Sequence, residues 1–163
     1  MDDPQSFPIW PIVLLFPVFF VVLWLGVVGL LATLGGWNAL ARRFPDPGDA
    51  ARGNILGLPG TTLGMRRAGV PFPVSYKRCV TLLLSSAGLH LRVMAFFRFR
   101  HPPILVPWEQ VEGMDPGRML AWRTLAVRPR GSGARILLYG YAAEAVQASW
   151  ERRAAAARER APL

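Results

Sequence analysis

The spacing of apolar and polar positions changes period along the chain. Over residues 12–34, "IVLLFPVFFVVLWLGVVGLLATL", there is no period at all, because 23 residues pass without a charge. A helix of that length rises roughly 35 Å, enough to cross a bilayer core of about 30 Å. Pro17 lies near its start and is expected to bend the helix without ending it. Just beyond, Trp37, Leu40, Ala41 and Phe44 recur at helical spacing, Arg42 and Arg43 face away, and Pro45 stops the pattern. This predicts a short amphipathic helix over 35–45. Its apolar stripe lies either in the headgroup layer or against the domain that follows.

From residue 61 the period becomes two. In "YKRCVTLLLSSAGLHLRVMAFF", Val80, Leu82 and Leu84 share one face, and Leu89, Leu91 and Val93 then alternate with His90 and Arg92. The pattern predicts a hairpin about "SSAG" with Gly88 at a positive-φ position. "PILVPWEQVEGM" reads as a strand interrupted at Pro107, hence an edge strand or a bulge. "MLAWRTLAVRP" and "ARILLYG" read as two more strands about the turn "RPRGSG". "AAEAVQASWERRAAAARER" is a helix anchored by Val146 and Trp150. Residues 46–60 are Pro- and Gly-rich, with Asp46 and Asp49 as turn formers, and read as a linker. The expected fold is one N-terminal transmembrane helix plus a mainly antiparallel β-domain, barrel or sandwich, closed by a C-terminal helix. The divisions are a short outer N-terminus (1–11), the span (12–34), a juxtamembrane helix (35–45), the linker (46–60) and the β-domain (61–160).

Charge sharpens the membrane assignment. Residues 1–41 hold Asp2 and Asp3 and no base, whereas the remainder holds all 19 basic residues and eight of the ten acidic ones, a net +11. A secretory leader has a basic start and a shorter apolar core, and "MDDPQSF" is acidic. A soluble helix apolar on every face would need a much larger protein around it. Trp10 and Trp37 flank the span where indoles mark the two interfaces, and Arg42 and Arg43 follow it. By the positive-inside rule the expected topology is N-terminus out, β-domain in the cytoplasm. The Arg-rich, Ala/Gly/Pro-rich composition fits a bacterial inner-membrane protein. Cys79 is the only cysteine, so neither an intramolecular disulfide nor a cysteine metal cluster is expected.

A resemblance is carried by the juxtamembrane "GW…LA…FP", the "GLHL" strand, the run "FRFRHPPILVPWEQV" and the C-terminal helix. Together these resemble a group of bacterial single-pass membrane proteins whose cytoplasmic part is similar to pleckstrin-homology (PH) and GRAM-like domains. The likeness extends from Gly36 to about Trp150 and is most specific from His101 to Trp108. It implies a PH-like fold and binding next to a membrane, and it carries over no catalytic or ligand residues.

The chain holds no nucleophile elbow, Walker loop or dinucleotide fingerprint, and its two histidines are eleven residues apart. Ser85 or Ser86 beside His90 reads as a chance pairing at a turn, and Cys79 within an apolar strand reads as inert core. The expectation is therefore a protein that is not an enzyme and uses neither cofactor nor metal. Nucleic acid is set aside because an anionic leaflet already accounts for the basic charge. The candidate site is the segment from residue 96 to 101. Read at period two, it is a strand with Phe97 and Phe99 on one face and Phe96, Arg98 and Arg100 on the other. Arg98, Arg100 and His101 are the candidate residues for lipid headgroups or a partner protein, and Trp10, Trp37, Arg42 and Arg43 those for the membrane interface. The expected role is a membrane-anchored binding or scaffold protein. The alternative is an enzyme accessory or a hydrolase, which requires Ser or Cys within reach of His in a concave site.

Overall fold

A computed structural model of the chain describes residues 10–48, 55–119 and 122–159. Asp2, Asp3 and the rest of the expected outer segment before Trp10 lie outside these residues, as do Asp49 and the middle of the expected linker.

Helix α1 spans Trp10–Leu34 and contains Pro17. It is long and apolar enough to cross a membrane. Its large side chains as far as Leu23 are exposed on every side, and only Val28, Gly29 and Ala32, near its end, are buried. Gly35 and Gly36 then form a turn into α2, Trp37–Arg43. Gly36 takes φ 81°, a left-handed conformation that costs glycine little. Trp37, Leu40, Ala41 and Phe44 are buried in the same core as the strands, while Arg42 and Arg43 are exposed. The apolar stripe of α2 therefore packs on the β-domain and not in a headgroup layer. Trp37, expected at a membrane interface, is a core residue.

Seven antiparallel strands follow: β1 Leu56–Arg67, β2 Val74–Leu84, β3 Gly88–Val93, β4 Ile104–Pro107, β5 Val111–Met119, β6 Trp122–Pro129 and β7 Ala134–Tyr139. Their order in the sheet is β4-β3-β2-β1-β7-β6-β5. The two edges, β4 and β5, are consecutive in the chain and joined by one 3₁₀ turn, Trp108–Gln110. Seven flat strands would hold those edges roughly 29 Å apart at about 4.8 Å per gap. The connection reaches at most about 15 Å. The sheet must curl into a half-barrel, and β4 is the edge strand foreshadowed by Pro107. Helix α3, Tyr141–Glu159, buries Ala142, Ala143 and Val146 in the core, and Trp150 lies 6.2 Å from Trp108 between ring centroids.

Strand parity follows the expected pattern in β2 and β3, where Val80, Leu82, Leu84, Leu89, Leu91 and Val93 all face the core. Gly88 departs from its expected role, since its φ is not positive. It is required for close approach instead: a Cβ there would fall 2.1 Å from the Val106 carbonyl oxygen on β4. Two boundaries also move. β1 starts at Leu56, inside the expected linker, and α2 belongs to the core, so the domain begins well before residue 61. The expected strand "MLAWRTLAVRP" is divided between the end of β5 and β6, which pair as a long hairpin.

Candidate functional site

The segment from Met94 to Pro103 is not a strand. After β3, Ala95–Phe97 forms one 3₁₀ turn, closed by bonds from Phe97 N–H to Met94 O (2.9 Å) and Arg98 N–H to Ala95 O (3.2 Å). His101 N–H then returns to Arg98 O at 2.9 Å, and Arg100 sits at φ 56°. Period-two alternation over five residues is therefore replaced by a compact loop. Pro102 and Pro103 contribute to this outcome, because neither carries an N–H for a ladder.

The loop lies along α1. The Phe97 ring is 5.2 Å from Trp24, and the aliphatic stem of Arg100 crosses Gly29, where an added Cβ would stand 3.1 Å from the Arg100 Cδ. Gly29 is five residues before the end of α1 and Trp24 ten, so the loop descends roughly 7 to 15 Å along the helix axis. Around these anchors Phe96 is 84 % exposed, Met94 and Phe99 about half exposed, and Arg98 and Arg100 exposed. Phe72, in the β1–β2 loop next to Val74, is also exposed, and Val74 itself approaches Gly35 at the end of α1. The loop thus presents aromatic rings and guanidinium groups beside the apolar helix.

His101 is separated from the two arginines. It is buried, with its ring against Trp37 (5.2 Å) and Tyr76 (5.5 Å). Its Nδ1 lies 2.9 Å from the Phe99 carbonyl, which can only accept, so Nδ1 carries the proton and Nε2 accepts from the Tyr76 hydroxyl at 3.1 Å. The Tyr76 oxygen is also 3.4 Å from Leu31 O on α1, and Trp37 donates its indole N–H to Pro102 O at 2.8 Å. Burial lowers the His101 pKa, against the opposing pull of the Phe99 and Phe97 carbonyls, and burial raises that of Tyr76. Trp37, Tyr76 and His101 form a buried aromatic joint that fixes the loop, α2 and the end of α1 to one another. Of the expected interface residues, Trp10, Arg42 and Arg43 are exposed and Trp37 is not.

A second cluster joins Ser85 to His90, a pair that reads in the sequence as a chance pairing at a turn. Ser85 Oγ is 2.9 Å from His90 Nε2, and His90 Nδ1 is 3.4 Å from the buried carboxylate of Asp46. The order is that of a hydrolytic triad. The surroundings differ: Ser85 Oγ already accepts the N–H groups of Ala87 (3.2 Å) and Gly88 (3.3 Å) of its own turn and lies buried at the edge of an open concavity shared with Ser86, Trp108 and Arg153, while His90 is fully buried. Asp46 also accepts from Arg92 (3.2 Å) and from Gly48 N–H (3.0 Å). Burial pushes its carboxyl pKa up, but those donors and His90 outweigh burial and hold it below its ordinary value. The arrangement clamps the chain leaving α2 onto β3 and β4, where Asp46 N–H also reaches Pro103 O and Leu105 N–H reaches Phe44 O. Cys79 is half-buried, and burial raises its thiol pKa, away from the reactive thiolate. Among the described residues no group of three or more His, Cys, Asp or Glu gathers at metal-binding distance.

The chain matches no protein-family model, and no curated protein matches it.

Proposed function

We propose that this is a single-pass protein of the bacterial inner membrane whose cytoplasmic, PH-like half-barrel is a non-catalytic binding or scaffold domain seated on the inner leaflet. The observation that carries this reading is the contact of residues 96–100 with α1 at Trp24 and Gly29. Once α1 spans a bilayer, that contact puts Phe96 and Phe99 at the acyl boundary. Arg98 and Arg100 then reach the phosphate layer, with the Arg100 stem lying along the helix as a snorkelling side chain does. Each guanidinium near an anionic leaflet contributes about 1 kcal/mol of attraction. Arg42 and Arg43, exposed on α2, favour the cytoplasmic side for the domain. The two backbone N–H groups that already occupy the Ser85 hydroxyl, and the full burial of His90, support a clamp over a hydrolase.

The test uses the full chain in lipid nanodiscs. Headgroup-nitroxide lipids, anionic in one sample and zwitterionic in the other, should broaden the amide signals of residues 96–100. Broadening should be stronger from the anionic lipid and fall to the zwitterionic level in the Arg98→Glu/Arg100→Glu variant. Equal broadening from both lipids in the parent protein would assign the arginines to another partner.

A further inference from the structure

One concavity lies away from the 96–100 loop and has an unusual floor. β1 advances three residues from Leu58 to Thr61 while β2 advances two. β2 then advances four, from Tyr76 to Val80, while β1 advances two. The two irregularities lie on opposite strands, one on each side of the Thr61–Val80 pair. Gly60 takes φ 64°, and Arg78, with a side chain that disfavours it, takes φ 54°. A non-glycine residue held in the left-handed region is strained, and such outliers and bulges are over-represented beside functional sites. Gly60 and Lys77, the neighbour of Arg78, line a cavity of about 610 Å³, within the range of about 300–1,000 Å³ usual for small-molecule sites.

The wall is mainly apolar: Leu58, Met119, Trp122, Tyr139 and Tyr141 line it, with Trp122 65 % and Tyr141 67 % exposed. Among the described residues the one charged group in the lining is Lys77, the only lysine of the chain, and no acidic residue lines the cavity. Ser75, also in the lining, directly follows Val74, which touches Gly35 at the end of α1.

We propose that this cavity binds a single-chain amphiphile with an anionic head, specifically an unesterified fatty acid. The acyl chain lies against Trp122, Met119 and Leu58, and the carboxylate pairs with Lys77. A cation beside a long apolar wall with no competing acid selects that combination over a neutral chain or a cationic peptide. The assignment does not depend on the loop at Arg98 and Arg100, which Lys77 and Trp122 substitutions leave intact.

The experiment uses the full chain in zwitterionic nanodiscs and a diazirine-bearing dodecanoic acid, with cross-linked peptides mapped by mass spectrometry. Label is expected in peptides containing Leu58 to Lys77 and Trp122 to Ala142, and excess dodecanoate should remove it. Lys77→Gln should lower labelling by dodecanoic acid about two- to fivefold, as for one solvent-exposed ion pair. The same variant should leave labelling by the matching dodecanol probe unchanged. Trp122→Ala should lower both about tenfold. Circular dichroism of each variant checks that the fold is retained, and Lys77→Arg, which keeps the charge, should restore labelling by the acid. Label confined to α1 and the 96–100 loop would overturn the site. Equal loss of acid and alcohol labelling in Lys77→Gln would overturn the anionic head.

Discussion

Two surfaces of this domain expose aromatic side chains, and they differ in what lies beside them. Phe96, Phe99 and Met94 project from a loop packed on the apolar helix α1, with Arg98 and Arg100 between them. Trp122, Tyr141 and Met119 surround a cavity over a distorted part of the sheet, with a single lysine at hand. The first combination, rings and guanidinium groups next to an apolar helix, matches a bilayer interface. The second, a cavity with one cation, matches a molecule small enough to enter it. Exposed aromatic residues alone would not separate the two. The neighbouring charge and backbone do.

The difference rests on the aromatic joint that fixes the loop to α1, and the largest effect comes from breaking it. Trp37→Ala should cost about 3–5 kcal/mol, because a fully buried indole leaves both a cavity and an unpaired Pro102 carbonyl. Denaturant unfolding in nanodiscs measures this. A variant that unfolds like the parent would show that α2 is not part of the core. Asp46→Ala should cost about 1–3 kcal/mol by leaving His90 and Arg92 without their acceptor. If the Ser85 cluster is a clamp, a fluorophosphonate probe should fail to label Ser85 in the parent protein. Covalent labelling there would reinstate the hydrolase.

A smaller effect comes from pH. Burial holds His101 below its ordinary 6.5, so below that value the unfolded chain takes up a proton that the folded chain refuses. The contribution of a neutral His101 is thus full above 6.5 and is lost as pH falls through the lower folded value. His101→Gln should flatten the stability profile below about pH 6.5 relative to the parent. An unchanged slope would mean that His101 is reached by water. Smallest in stability is Arg98→Glu/Arg100→Glu, expected within about 0.5 kcal/mol, because both side chains are exposed.

The uncharged run of α1, the inward parity of β2 and β3 and the C-terminal helix could be read directly from the local pattern of residues, because each depends on neighbours a few residues away. Trp37 could not be placed that way. An indole flanking an apolar helix has the same sequence signature whether it meets lipid or a domain core, and only the pairing with Tyr76 and Pro102 decides. Residues 96–100 alternate like a strand, yet five residues ahead of two prolines carry too little ladder to hold one against packing on Trp24. The contact of Asp46 with His90 links positions 44 residues apart, which local spacing does not encode. The cavity at Lys77 was missed for a related reason: Gly60 hints at a bulge, but nothing marks Arg78 as left-handed until β1 and β2 are paired.

The seating of the domain is tested most directly by depth. In a Cys79→Ser background, nitroxide labels at Phe96→Cys and Tyr141→Cys can be compared in nanodiscs by power saturation with oxygen and with a water-soluble nickel chelate. The label at position 96 should be relaxed mainly by oxygen, as at an acyl boundary, and the label at 141 mainly by nickel, as in water. Equal access of nickel to both positions would contradict a loop held in the membrane surface by α1.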